Sequence, residues 1–429
     1  MKKLFVILFS LSICLNLFAQ NEAKPEGWKF GALPTIAFDS DLGFQYGAVV
    51  NFYDYGKPSI NPFYKHSLYL EVSRFTKGSG INQFKYDSEY LIPGIRVTAE
   101  ASLLTEKALD FYGFNGYQSD YNADFTDEDS NDYISRLYYR HGRKLTRIKL
   151  DLQGNILGRK LKWIGGFLHY GNKISAVDIE ALNKGKSSSS KLPDVNTLYD
   201  NYVEWGIIPE DQKEGGKNNF LKLGLVYDTR DNEPNPNKGI WTEAFLLTGP
   251  KFLGNKNYSY TKLILTHRQY FTVLKNKLTF AYRLSYQKKI SGTMPFYMLP
   301  YLFDLREDRD GLGGAKTVRG VLRNRITGED MAFGNFEFRW KFLNKTFGTR
   351  NLYLCLTPFI DMGMVTGEFD FIQTSGNMLI PGEEKLHIGY GTGLRIALDQ
   401  NFIVALDYGI PLDKKDGSTG FYINLDFLF

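Results

Sequence analysis

The last ten residues, Gly420 to Phe429, alternate without a fault. Phe421, Ile423, Leu425, Phe427 and Phe429 fall on one side of an extended chain, and Tyr422, Asn424, Asp426 and Leu428 on the other, because successive side chains of a strand point to opposite faces. An aromatic and aliphatic face on a final strand suits a sheet with lipid on one side and a watery lumen on the other. The pattern recurs along the chain, with charges at alternate positions. Leu221, Leu223, Leu225 and Tyr227 alternate with Lys222, Gly224 and Asp228. Ala332, Gly334, Phe336, Phe338, Trp340 and Phe342 alternate with Phe333, Asn335, Glu337, Arg339 and Lys341. Leu352, Leu354, Leu356, Pro358 and Ile360 alternate with Tyr353, Cys355, Thr357, Phe359 and Asp361, and Phe402, Val404, Leu406 and Tyr408 with Ile403, Ala405 and Asp407. Ionised residues at that frequency fit a wet interior and would be costly in a dry core.

Composition narrows the class. Beyond the N-terminus no segment approaches the roughly 20 apolar residues of a membrane helix, and a mean hydropathy of −0.30 excludes a helical membrane protein. Yet the chain has 28 Tyr, 33 Phe and 42 Gly, the residues that interface girdles and a polar lumen consume. Composition alone leaves a secreted β-sandwich or soluble barrel open. A net charge of +5 is too small to imply nucleic acid as a partner. Residues 1–19 read as a signal peptide: Lys2 and Lys3, an apolar run from Leu4, and the small Ala19 at the cut. Cys14 follows Ile13, where a lipoprotein would carry a small residue. With the leader removed, Cys355 is the one cysteine, so no internal disulfide forms. The expected organisation is a signal peptide at 1–19, a short periplasmic start at 20–27 and an outer-membrane β-barrel over 28–429.

Strand-like segments fall near 28–38, 42–53, 63–75, 80–92, 94–104, 132–154, 160–175, 219–229, 239–250, 257–271, 275–289, 331–342, 350–364, 385–398, 401–410 and 419–429. That is about sixteen antiparallel strands, an even number as a single-chain bacterial barrel requires. Connection lengths agree. The turns at Ile92 to Gly94, Leu274 to Asn276 and Asp399 to Gln400 share one predicted end, the periplasmic one. So do the longer 54–62, 230–238 and 343–349, each rich in Gly, Pro or Asn. The long excursions 105–131, 176–218, 290–330 and 365–384 share the other, external end. In 176–218, Val195, Leu198, Tyr199, Tyr202 and Val203 have helical spacing. They predict either a short helix capping the mouth or a surface loop with scattered apolar residues.

The run Gly311 to Gly320, with Val318-Arg319-Gly320 at its end, resembles the tip of the sixth external loop in the outer-membrane assembly-factor superfamily, the BamA/TamA-like or bacterial surface antigen barrels. Other blocks match in order: Asp228 to Asn232 with Pro234, Pro236 and Gly239; Asn335 to Arg339; Phe359 to Gly363; Gly391 to Arg395; and the terminal aromatic. Phe111 to Gly116 is a weaker echo in the third loop. The resemblance covers roughly 110–429. It implies that the sixth loop folds into the lumen and that Arg319 meets acidic residues on the twelfth and thirteenth strands. Alternation independently turns Glu337 and Asp361 of those strands inward, where a planar guanidinium can bond carboxylates. Gly389, Gly391 and Gly393 of the fourteenth strand would leave a groove for the loop, or else permit barrel curvature. Phe427 and Phe429 would form the C-terminal signal read during assembly, or pack against lipid.

The resemblance also implies a bacterial outer-membrane location and a part in inserting proteins into that membrane or moving them across it. The implied partners are outer-membrane lipids, the barrel assembly machinery during biogenesis, and client proteins or a periplasmic partner. Relatives of that class carry periplasmic domains ahead of the barrel, which 20–27 is too short to form. The alternative reading is a passive pore or structural surface barrel with a plugged lumen. No cofactor, metal or enzymatic activity is expected. His66, His141, His169, His267 and His387 lack metal-ligand spacing, and no Gly-Xaa-Ser-Xaa-Gly elbow occurs. Thr261, His267 and Gln269 share what reads as a mixed face of the tenth strand. Asp308-Arg309-Asp310-Gly311 lacks the later ligands of a calcium loop and reads as a solvated acidic stretch.

Overall fold

Sixteen antiparallel strands close into one barrel. The computed structural model describes residues 27–39, 43–56, 64–233, 235–255, 257–347, 350–371, 382–398 and 402–429. The leader at 1–19 and the start at 20–27, Gly27 excepted, lie outside the described residues, as do Pro234, the turn at Asp399 and Gln400, and part of the 365–384 excursion. The wall begins with β1 (Trp28–Asp39), β2 (Gly43–Asp54), β3 (His66–Phe75), β4 (Gly80–Ile92), β5 (Ile95–Asp110), β6 (Arg140–Leu157), β7 (Leu161–Ser175) and β8 (Gly215–Asp228). It continues with β9 (Gly239–Thr248), β10 (Tyr260–Leu274), β11 (Leu278–Gly292), β12 (Asp330–Phe347), β13 (Arg350–Gly367), β14 (His387–Leu398), β15 (Phe402–Pro411) and β16 (Gly420–Leu425). Each strand pairs with its sequence neighbours, and β16 returns to β1. Among the described residues no helix is long and apolar enough to cross a membrane.

The pleat divides side chains as the alternation predicts. Leu223 is 68% exposed and Trp340 50%, whereas Lys222 is 3% and Glu337 0% exposed. Long and short connections also segregate. Residues 111–139, 176–214, 293–329 and the described parts of the 365–384 excursion fall at one rim, and 93–94, 158–160 and 275–277 at the other.

Two strand starts differ from expectation by four residues or more. β6 begins at Arg140 rather than near 132. The backbone N–H groups of Ile134 and Ser135 donate to Phe125 O at 3.0 and 3.1 Å, which holds that stretch inside the third external loop. β8 begins at Gly215, four residues before the expected 219, and pairs there with Lys173.

Folded loops pack together at the loop rim. The 176–214 connection carries α1 (Ile179–Asn183) and α2 (Leu198–Glu204), so the helical spacing there marks a real helix. Thr197 caps α2, its hydroxyl accepting from Asp200 N while the Asp200 carboxylate accepts from Thr197 N; such reciprocal capping satisfies two donors that a helix start leaves free. Tyr199 and Tyr202 bury against Phe111, Phe114 and Phe296. The 293–329 loop drops into the lumen, where Leu312, Val318, Val321 and Ile326 form a small apolar cluster with Phe333 and Val365. A two-residue ribbon, Tyr301–Leu302 against Arg309–Asp310, stiffens its base. At the turn rim a cavity of about 670 Å³ remains, lined by Asn237, Lys238, Thr279, Lys341 and Tyr353 among others.

Candidate functional site: a loop arginine inside the barrel

The tip of the 293–329 loop is shaped before it meets the wall. Gly313 N donates to Thr317 Oγ1 at 2.9 Å, Gly314 N to Val321 O at 2.8 Å, and Val321 N to Val318 O at 3.3 Å. Gly320 has φ 94°, a conformation that side chains with Cβ disfavour. The tip is then tied to β11 and β12: Arg283 Nη2 donates to Lys316 O at 3.0 Å and Asn335 Nδ2 to Thr317 O at 2.6 Å.

These ties aim Arg319 at the wall. Its Nε and Nη2 donate to the two oxygens of Asp361 on β13 at 2.7 and 3.0 Å, and its backbone N–H adds a third bond at 3.1 Å. Nη1 lies 3.0 Å from Glu337 Oε1 on β12, an ion contact off the hydrogen-bonding angle. It also donates to Asp407 Oδ1 on β15 at 3.3 Å. The guanidinium centre stands 3.5 Å from the centroid of the Phe359 ring, a cation–π geometry. Burial by itself would lower the pKa of Arg319, but Asp361, Asp407 and Glu337 together raise it, so the group stays charged.

The structure therefore brings Arg319, Glu337 and Asp361 together, and adds three residues. Asp407 also binds Arg395 of β14 in a two-pronged pair at 2.9 and 3.1 Å. Arg339 Nε donates to Glu337 Oε2 at 3.0 Å. Three arginines and three carboxylates interlock across four strands and one loop. Asp407 and Arg339 both sit on inward faces by alternation, and Arg395 closes the Gly391–Arg395 block, so the sequence carried a signal for each.

The three glycines split into two kinds. A Cβ on Gly389 would lie 2.0 Å from Arg319 O, so the loop backbone occupies the space that a side chain would need. Gly391 and Gly393 instead make room for wall groups, the Phe359 ring and the Arg395–Asp407 pair. Gly409 of β15 was missing from the expectation; its Cβ would meet Gly320 N at 2.6 Å.

Two further expectations need correction. Asp308-Arg309-Asp310 is not solvated. Asp310 accepts from Arg143 Nη2 at 2.6 Å and Arg323 Nη2 at 2.9 Å. Asp308 accepts from Tyr170 OH at 2.9 Å, and Arg309 donates to Asp304 at 2.9 Å. The stretch lies on the inserted loop, so its charges face an inner wall rich in cations. The second correction concerns Phe427 and Phe429, which do not share the outward face of Phe421. β16 ends at Leu425, Asp426 takes φ 67°, and both rings turn into the lumen, 2% and 1% exposed.

A closed antiparallel barrel whose inserted loop holds an arginine against wall carboxylates defines the architectural class. Residues 74–429 match the Omp85 superfamily domain, and the chain belongs to that superfamily. Among solved structures it resembles BamA from Haemophilus ducreyi lacking POTRA domains 1-3, at 14% identity and TM-score 0.52, covering 94% of this chain and 71% of that one. CdiB from Escherichia coli matches at 12% identity and TM-score 0.57, covering 95% and 64% of the two chains. CdiB from Acinetobacter baumannii matches at 16% and 0.51, covering 95% and 61%. The chain thus spans less than two thirds of either CdiB. No curated protein sequence matches it. At such identities the likeness establishes the fold.

Proposed function

We propose that this barrel inserts proteins into the bacterial outer membrane or moves them across it, and that it works through the seam between β1 and β16. One observation carries the reading. From Trp28 opposite Asp54 to Asp39 opposite Gly43, β1 is paired with β2 along its whole length. On its other edge, among the described residues, β1 meets β16 only at Phe38 opposite Ile423 and Asp39 opposite Tyr422. The rest of that edge offers unpaired N–H and C=O groups, a template for strand addition. Unpaired backbone in lipid costs several kcal/mol per group, so an arriving strand gains what the seam leaves unmet.

On this reading the Arg319 cluster latches the loop inside the lumen, so that the pore stays filled while the seam opens. Outer-membrane lipids, the assembly machinery during biogenesis, client chains and a periplasmic partner are the proposed partners. No bond-making chemistry is assigned to the chain. A second reading, a plugged surface barrel, draws on the loops packed at the rim opposite the 670 Å³ cavity. Depletion of the protein tests the two. Loss of other outer-membrane proteins supports insertion; a changed solute permeability with unchanged membrane composition overturns it.

A further inference from the structure

The outward wall of the barrel carries a polar island. On β9, β10 and β11 the inward residues Glu243, Arg268 and Arg283 are fully buried. Thr242, His267, Gln269 and Tyr282 sit next to them in sequence, so the pleat turns these four outward. Thr242 Oγ1 and His267 Nδ1 are 2.7 Å apart, and His267 Nε2 and Tyr282 OH 3.4 Å apart. Tyr282 OH donates to Gln269 Oε1 at 2.7 Å. Apolar side chains surround the four. Along β10, Leu263 and Leu265 lie toward the loop rim, and Phe271 and Val273 toward the turn rim. Leu246 of β9 and Leu284 of β11 stand exposed on either side. The island therefore sits inside the apolar band and not at its edge.

Counting protons gives the island a direction. Tyr282 gives its one hydroxyl proton to Gln269, so its oxygen accepts from His267 Nε2–H. His267 Nδ1 then carries the lone pair and accepts from the Thr242 hydroxyl. The chain of bonds runs from Thr242 to Gln269 and stops there. Among the described residues, the two N–H donors of Gln269 Nε2 meet no acceptor. Hydrocarbon offers none either, and a polar group left unsatisfied in it is costly.

We propose that the outward face of β9–β11 is a membrane-embedded interface between two copies of this chain, closed by Gln269 of one copy against Gln269 of the other. Barrels inserted in the same sense share one orientation, so a two-fold axis between them runs along the membrane normal. Each residue then stands at the depth of its counterpart, and the second copy supplies the acceptor that the bilayer core lacks. Tyr282 fills one of the two lone pairs of Gln269 Oε1. The other accepts an N–H from the second copy, which gives a reciprocal amide pair. Polar side chains join membrane-spanning segments in this way. The face lies across the barrel from β1 and β16, so pairing leaves the seam free. The inference goes beyond the insertion reading and does not depend on it.

Energy transfer in vesicles tests the interface. A Cys355→Ala, Lys184→Cys chain carries a donor or an acceptor dye on its exposed external loop. The two labelled forms are reconstituted together in phosphatidylcholine vesicles over a range of protein-to-lipid ratios. Transfer is expected to saturate at dilutions where random proximity produces none. Gln269→Leu suits a lipid face and should leave heat-modified gel mobility unchanged. It is expected to raise the protein density for half-association by roughly tenfold, the effect of losing a polar pair in a membrane. Transfer that never exceeds random proximity overturns the interface and marks the amide as held by lipid. Association that Gln269→Leu leaves intact overturns it too. To place the face, Gln269→Cys in the Cys355→Ala background should form a disulfide-linked dimer on oxidation at high density. Val72→Cys, on the exposed outer face of β3, should not, and equal yields overturn the assignment.

Discussion

At Arg319 one guanidinium meets Asp361, Glu337 and Asp407, and no water-filled space competes for it, because the side chain is fully buried. Removing one member of such a cluster leaves charges that neither water nor a partner satisfies, at a cost of about 3–5 kcal/mol. Arg319→Ala is therefore expected to lower the unfolding temperature in detergent and weaken heat-modified gel mobility. An equal melting temperature would remove the latch from the account. Arg319→Lys should rescue only part of the loss, since an ammonium cannot span Asp361 with two parallel bonds. Gly389 is the steric counterpart. Its missing Cβ leaves room for Arg319 O, so Gly389→Ala should displace the loop and cost about 1–3 kcal/mol, as overpacking does. A thermal scan with trypsin cleavage in the 293–329 loop would detect both effects.

The inserted loop as an element is held at two levels, the tip by Arg319 and the base by Asp308 and Asp310. Burial pushes the pKa of Asp310 up, but Arg143 and Arg323 more than offset it and hold the carboxyl below its ordinary value. Asp308 is likewise lowered, burial being outweighed by Lys149 and Arg147. A depressed folded pKa gives stabilisation that is complete above the unfolded value, about 3.9 for Asp, and is lost as pH falls through the lower folded value. Protease resistance of the loop should therefore stay flat from neutral pH down to about 5 and fall progressively below about 4. Loss of protection already between pH 7 and 5 would contradict this assignment. Much of this element was legible beforehand. Alternation turned Glu337 and Asp361 inward, and the Val318-Arg319-Gly320 tip pointed to the arginine. The acidic stretch misled because local composition cannot report what a loop will face once it is inserted. The tail misled for a related reason: alternation fixes faces only while a strand continues, and the positive φ at Asp426 ends it. Asp407 went unassigned because its partner, Arg395, lies on the neighbouring strand, a pairing that parity alone does not select.

For the whole molecule, a barrel removes every sheet edge only if its first and last strands are zipped along their length. Here the zipping stops after Asp39 and Phe38, and the rest of β1 faces a tail that has gone elsewhere. If the seam works by parting these last pairs, locking them together should abolish activity without unfolding the protein. Phe38 and Ile423 stand opposite each other, and directly opposed antiparallel positions bring Cβ atoms to roughly 4.5–5.5 Å, close enough for small backbone shifts to allow a disulfide. A Phe38→Cys, Ile423→Cys chain is expected to fold and to reach normal levels. Under oxidising conditions it should fail to sustain other outer-membrane proteins in cells depleted of the native chain, and reductant should restore them. Cells carrying either single cysteine serve as the comparison, since loss there would mark damage to packing at the seam. A plugged structural barrel predicts the opposite, because a cylinder that never opens is unaffected, or stabilised, by a covalent staple. Full support from the oxidised double variant would therefore move the function away from the seam and leave the barrel as a closed surface structure.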